Sequence, residues 1–282
     1  MMTRMNLNTF ARHGVFEDKN VSKMIADRLR DREQVLNARA FPYQLMMAWK
    51  ATENREQVPF EVRDALQDAM AIAIDNVPVI KGQVYICVDT SGSMSSSITG
   101  WRSVATSYVR CVDVASLFAS CILRKNPDAV VLPFDTRIHQ VKLNPRDTVI
   151  TNAEKLARFG GGGTDCGCAL AHINKSGRTG DAVIYVSDCE SWVDSCGYFG
   201  LGQYKQSTGM ATEWKTFKNR NKNARLVCID LTPNPVSQVK EQEDTLLVGG
   251  FGDQCFDVIA SFIEYGTSKS HWVGEIETIS LD

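Results

Sequence analysis

From residue 83 onward the chain repeats one pattern, and that pattern leaves few folds open. Short runs that are apolar at nearly every position occur at 83–90 (QVYICVDT), 129–134 (AVVLPF), 182–187 (AVIYVS), 225–230 (RLVCID) and 245–250 (TLLVGG). Apolar residues at successive rather than alternate positions mark strands buried on both faces, which belong to parallel sheets covered by helices. Helical spacing follows in between, at 104–123, 152–159, 166–174, 212–221 and 255–265. Strands alternating with helices imply right-handed crossovers and an α/β, doubly wound, mostly parallel sheet with helices on both faces. Residues 138–143 alternate after a short turn from the 129–134 run, so they predict an antiparallel edge hairpin and a six-stranded sheet.

Residues 1 to about 76 read instead as helices. Val21, Met24, Ile25, Leu29 and Leu36 share one periodicity over 21–38, and Phe41-Pro42 ends it. A second helix carries Leu45, Met46 and Trp49, and a third runs from Pro59 through Val62, Leu66, Ala69 and Ala73. Three short helices make a poor core and need another surface to pack on. The chain therefore divides into a helical segment, 1–79, and an α/β domain, 80–282.

Charge and composition exclude several classes. With 44% hydrophobic and 23% charged residues, wholesale disorder is ruled out. Against 31 Lys+Arg stand 33 Asp+Glu, a net charge of -2, which excludes a globally basic nucleic-acid coat but leaves room for a local basic face. No apolar run is long enough to span a membrane, and the opening MMTRMNLNTFARHGVF has no secretion-type apolar centre. A cytoplasmic protein without a membrane partner is expected. The nine cysteines are odd in number and sit mostly in apolar runs, as at Cys87, Cys111, Cys121 and Cys228, so they read as buried free thiols. Cys166, Cys168, Cys189 and Cys196 lack zinc-knuckle or finger spacing.

Ligands of open α/β sheets bind beyond the carboxyl ends of the strands, where the strand order reverses. The first strand ends there in Asp89-Thr90-Ser91-Gly92-Ser93, offering a carboxylate and two hydroxyls at alternate positions. Four glycines at 160–163 lead into Thr164 and Asp165, and AVIYVS runs into Asp188. Asp89, Ser91, Ser93, Thr164 and Asp188 thus come from three loops that this fold brings together. They are hard oxygen donors suited to Mg²⁺, with Mn²⁺ or Ca²⁺ as alternatives.

DTSGSM, GGGTD and SDCES, in this order, resemble the metal-ion-dependent adhesion site of von Willebrand factor A (vWA) domains. The resemblance implies that Asp89, Ser91, Ser93 and Thr164 bind the metal directly or nearly so, and that Asp188 acts through a water. GGTDC at 162–166, SDCES and the later GFGDQCFDVI at 250–259 are similar, more narrowly, to the A domain of Ro ribonucleoproteins, the TROVE family. LNARAFPYQLMMAWKA resembles the last helical repeat of that family's RNA-binding ring. Cys189 departs from the family's more usual Asn, and only about 75 residues precede the sheet, too few for a closed ring.

That resemblance implies a non-enzymatic ribonucleoprotein component holding small non-coding or misfolded RNA, with a partner chain or as an oligomer supplying the ring. Arg12, Lys19, Lys23, Arg28, Arg30 and Arg32 are the candidate RNA contacts, read alternatively as a solvated helix face; Phe10 and Phe16 are the aromatics interleaved with them. The alternative function is an adhesion module whose metal bridges to an Asp or Glu of a protein partner. A metal-dependent phosphoesterase, with Asp165 or Asp188 as base, ranks below both. His13, His139, His172 and His271 are scattered, and the glycine run lacks the Gly-Lys-Ser/Thr of a phosphate loop. Trp192, Tyr198, Phe199 and Tyr204 suggest a docking loop near the metal rim, or a satellite core under a long loop.

Overall fold

A computed structural model of the chain describes residues 2–38, 41–53, 56–99, 109–188, 209–233, 242–252, 255–268, 272–274 and 277. Cys189, Cys196, His271 and the aromatic stretch from Trp192 to Tyr204 lie outside the described residues. The helices are α1 (Met2–Met5), α2 (Leu7–Arg12), α3 (Lys19–Leu29), α4 (Arg32–Asn37), α5 (Pro42–Glu53), α6 (Phe60–Ala73), α7 (Cys111–Lys125), α8 (Val149–Leu156), α9 (Gly167–Lys175), α10 (Gly209–Arg220) and α11 (Cys255–Tyr265). The strands are β1 (Val84–Asp89), β2 (Val130–Phe134), β3 (Ala182–Ser187), β4 (Arg225–Asp230) and β5 (Thr245–Gly249). Two compact units result, one comprising Met1–Pro78, Ser95–Pro127 and Lys142–Arg158, the other Val79–Met94, Asp128–Val141 and Phe159–Asp282.

The second unit holds the sheet, whose order is β2-β1-β3-β4-β5 with every pair parallel. Both faces are dry, as continuous apolar runs require: Tyr85, Cys87, Val183 and Tyr185 on one side and Ile86, Val88, Ile184 and Val186 on the other are all buried. The first face packs with Leu170 and Ile173 of α9 and with Trp214 and Phe217 of α10. Tyr185 is the pin of that layer. Its ring meets Phe134 edge-on at 5.7 Å, while its hydroxyl donates to the Cys166 carbonyl (2.9 Å) and accepts from the Leu170 amide (3.2 Å). A wholly buried phenol needs both partners, and here they also hold the chain segment that follows Thr164.

The sheet has five strands among the described residues, not six. Residues 138–143 make only one antiparallel bridge, Phe134 to Ile138. The reason lies in edge strand β2: the Pro133 carbonyl accepts from the His139 amide at 2.8 Å, but Pro133 has no N–H to return the bond. A ladder that loses its donor at the second step stops there.

The first unit is helical, and two sequence expectations are corrected in it. The stretch 21–38 is two helices, because Asp31 breaks it and caps α4 by accepting from the Gln34 amide at 2.8 Å; Asp18 caps α3 in the same way, accepting from Asn20. Helix α7 begins at Cys111, since Arg110 is extended and bridges Ser97; residues 104–108 of the expected helix lie outside the described residues. The Asp113 carboxylate turns back to accept from the Arg110 amide at 2.9 Å, the reciprocal half of a capping box, which fixes that start. No helix among the described residues is long and apolar enough to cross a membrane.

Candidate functional site

The strand order reverses at β1, since β2 lies on one side of it and β3 on the other. Ligands of such sheets bind in the crevice outside the carboxyl ends of the two strands at that point. Asp89 is the last residue of β1, and Asp188 follows the last residue of β3. The parallel register pairs Val88 with Val186, which brings Ser187 alongside Asp89.

Asp89 is fully buried and has both oxygens engaged. Oδ1 accepts from the Ser91 amide at 2.8 Å, and Oδ2 accepts from the Ser187 hydroxyl at 2.6 Å. Among the described residues no Lys or Arg forms an ion pair with it. Burial pushes its carboxyl from an ordinary 3.8 up to about 6; the Ser187 and Ser91 hydrogen bonds pull the other way, and the Asp188 charge adds to the rise. The Ser91 and Ser93 hydroxyls lie 3.2 Å apart, Ser91 buried and Ser93 partly so.

The glycine loop is tied to this turn. The Gly92 amide donates to the Gly162 carbonyl at 2.9 Å, and both the amide and the hydroxyl of Thr90 donate to the Phe134 carbonyl. Gly162 is needed for space: a Cβ there would stand 2.7 Å from Oδ2 of Asp135. Thr164, next in line, is 1% exposed and Asp188 3%. The fold therefore carries all five predicted metal residues on three segments at the strand ends, with direct bonds joining the Asp89–Ser91–Ser93 turn internally and to the glycine loop.

Two buried carboxylates and three hydroxyls form a hard-oxygen donor set. A buried carboxylate without a cationic side chain to neutralise it is chemically suited to a small divalent cation. Zinc fits less well. Burial pushes the Cys168 thiol up to about 12 and the Cys228 thiol likewise, so neither is a thiolate, and the described residues contain no cluster of three His, Cys, Asp or Glu side chains of the kind a zinc site uses. The buried cysteines are free, as expected.

Two partners escaped the sequence reading. Ser187 precedes Asp188 directly, and only the register shows that it faces Asp89. Asp135 sits at the carboxyl end of β2, where the strand-end rule would have found it. Burial favours its neutral form, yet the hydrogen bonds of His139 and the Arg137 amide outweigh that and hold its carboxyl below the ordinary value. His139 Nε2 lies 2.9 Å from Asp135 Oδ2, and its ring stacks on Phe159 at 5.1 Å.

The candidate RNA contacts are placed on α2, α3, the α3–α4 break and the first residue of α4. Arg12, Lys19, Lys23, Arg28 and Arg32 are exposed and Arg30 is partly buried. Arg30 pairs with Asp68 at 3.4 Å, and Arg32 pairs with Asp75. No ion pair among the described residues engages Arg12, Lys19, Lys23 or Arg28. Phe10 and Phe16 pack edge-on against each other at 6.4 Å, with Phe16 buried and Phe10 partly so.

A parallel sheet in this order, with carboxylates and hydroxyls gathered at the β1/β3 reversal, defines a von Willebrand factor A-type domain. The chain belongs to the Ro60 vWA domain family, whose model matches residues 83–263. It is 24% identical over 270 residues to a protein of Deinococcus radiodurans described as RNA-binding protein RO60, covering 91% of this chain and 48% of the relative. The crystal structure of the Deinococcus radiodurans RO (RSR) protein shares the fold with a TM-score of 0.72 at 22% identity, covering 92% of this chain and 52% of that one. The chain thus spans about half the length of these relatives.

Proposed function

We propose that this chain is a non-catalytic, cytoplasmic Ro-type ribonucleoprotein component that binds small or misfolded RNA together with helical repeats from a partner chain or further copies. The observation that carries this reading is the extent of the match to the RNA-binding relative. At 270 residues it continues past the A domain into the N-terminal helices, where Arg12, Lys19, Lys23 and Arg28 leave exposed cationic heads for phosphate contacts. The A domain would hold a divalent cation, Mg²⁺ in the first instance, through Asp89, Ser91, Ser93 and Thr164, with Asp188 acting through a water. Such a cation would offer an open position to an incoming carboxylate or phosphate oxygen.

The test is gentle purification of the chain from its own host in Mg²⁺, with the ratio of absorbance at 260 and 280 nm read before and after RNase. RNase-sensitive RNA in near-stoichiometric amount is the expected result. Protein free of RNA overturns it. The buried oxygen site would then favour the second reading, an adhesion module whose cation bridges to an acidic partner and whose complex dissolves in EDTA.

A further inference from the structure

A cleft of about 210 Å³ lies within the helical unit. It is walled by Trp49 and Lys50 of α5, Arg110 and Asp113 at the start of α7, and residues of α8 with Arg158 just beyond it. Its chemistry is divided. Trp49, Met46 and Ile150 make one side apolar, and Trp49 is only partly buried. The other side is a group of cations.

Two of those cations, Lys50 and Arg110, are held in place. Asp113 is 4% exposed and receives Arg110 twice, Nη2 to Oδ1 at 2.9 Å and Nε to Oδ2 at 3.2 Å, and Lys50 Nζ at 3.2 Å. One carboxylate balances one of these two positive charges and leaves the other over. Arg110 uses two of its five side-chain N–H groups on Asp113 and Lys50 one of three, so fixed donors remain. Arg158 adds an exposed guanidinium that forms no ion pair among the described residues; Glu154, also exposed, is the opposing charge on the same wall. A flat apolar side beside pre-oriented cations is the composition of a single-stranded nucleotide site, where a base rests on the aromatic and its phosphate meets the guanidinium.

We propose that this cleft binds one nucleotide of single-stranded RNA, its base against Trp49 and its phosphate between Arg110 and Arg158, with Asp113 as the positioning residue. The inference rests on the RNA-binding reading and locates a subsite for it that is separate from α2 and α3. An acidic peptide would satisfy the cations but make no use of the indole face, so RNA is the occupant the cleft favours.

The experiment uses the full chain and a fluorescein-labelled ten-nucleotide oligouridylate, read by anisotropy across a salt series, with a 5-iodouridine version for photocrosslinking and peptide mapping. Arg158→Glu should weaken binding roughly tenfold and flatten the salt slope by about one unit, as expected for a lost phosphate contact. Glu154→Gln should tighten binding, a change that a merely structural role would not produce. Both positions are exposed, and thermal melts equal to the parent confirm intact folds. The crosslink should fall on the α5 peptide carrying Trp49. If the parent binds the oligonucleotide but both variants match it and the crosslink maps elsewhere, the cleft assignment is overturned and the RNA reading stands. If the cleft variants alter only the binding of an oligoglutamate peptide, the cleft assignment is likewise overturned; if the parent binds no RNA, both are overturned.

Discussion

The Ser187 hydroxyl donates to Oδ2 of Asp89 across 2.6 Å, joining the last residue of β3 to the last residue of β1 inside the buried end of the sheet. The bond sets the orientation of the carboxylate, since the Ser91 amide holds the other oxygen. Ser187→Ala should therefore cost about 1.5–3 kcal/mol, the range for a hydrogen bond to a charged group whose partner stays buried. Urea denaturation at pH 7 measures it. A midpoint unchanged from the parent would show that Asp89 does not depend on this hydroxyl.

Asp89 also makes stability depend on pH in an unusual direction. Its folded carboxyl is raised to about 6 chiefly by burial, above the ordinary 3.8 of the unfolded chain. The folded state therefore binds the proton more tightly, and the stability this confers is complete below about pH 4 and lost as pH rises through about 6. The size of the change is on the order of 3 kcal/mol. In EDTA, the parent should lose stability between pH 4 and 6.5, and Asp89→Asn, which carries no charge at any pH, should remove that part of the slope. Parallel pH profiles for the two proteins would contradict the expected titration.

The sheet and the candidate site were largely legible in the residues, for physical reasons that also mark where legibility ended. Five continuous apolar runs identified the five strands, because dry faces on both sides, as in β1 and β3, leave no other pattern. The 138–143 stretch misled because alternation reports a half-buried face and says nothing of donors; Pro133 supplies none. The break at Asp31 was hidden because the apolar spacing continues from Leu29 to Leu36 through the cap. Asp89 and Asp188 could be placed by the strand-end rule, but Ser187 as a partner of Asp89 depends on the parallel register, and the Asp113 cluster joins Lys50 to Arg110 across 60 residues of sequence. Contacts between distant segments leave no local trace.

Gly162 should be intolerant of even a methyl group. A Cβ would lie 2.7 Å from Oδ2 and 2.9 Å from Cγ of Asp135, whose carboxylate is anchored by the Arg137 amide and His139. Gly162→Ala is expected to cost about 1–3 kcal/mol through overpacking. It should also displace the Gly162 carbonyl from the Gly92 amide and so disturb the Ser91–Ser93 turn. Scanning calorimetry with and without MgCl₂, at matched ionic strength, reads both effects. The parent should melt higher in Mg²⁺, by about 2.7 kcal/mol at one hundred times its dissociation constant, and the variant should gain much less. An equal gain in the two proteins would place the cation away from these loops.

Asp113 should act on the acid side, with the opposite sign to Asp89. Burial favours its neutral form, but the Arg110 hydrogen bonds and the charges of Lys50 and Arg110 outweigh that and hold its carboxyl below the ordinary value. Its contribution is therefore present above about pH 4, the unfolded value, and lost as pH falls through the lower folded one. Asp113→Asn at pH 7 leaves Lys50 and Arg110 facing each other without the anion and weakens the α7 cap. Breaking a buried pair costs about 3–5 kcal/mol; because Arg110 is 42% exposed, solvent screening brings the expected loss to about 2–3 kcal/mol. Urea midpoints at pH 7 and pH 3 should then differ, with a large gap between parent and variant at pH 7 that narrows at pH 3. A gap of the same size at both values would mean that Asp113 matters through its shape and capping bond rather than through its charge.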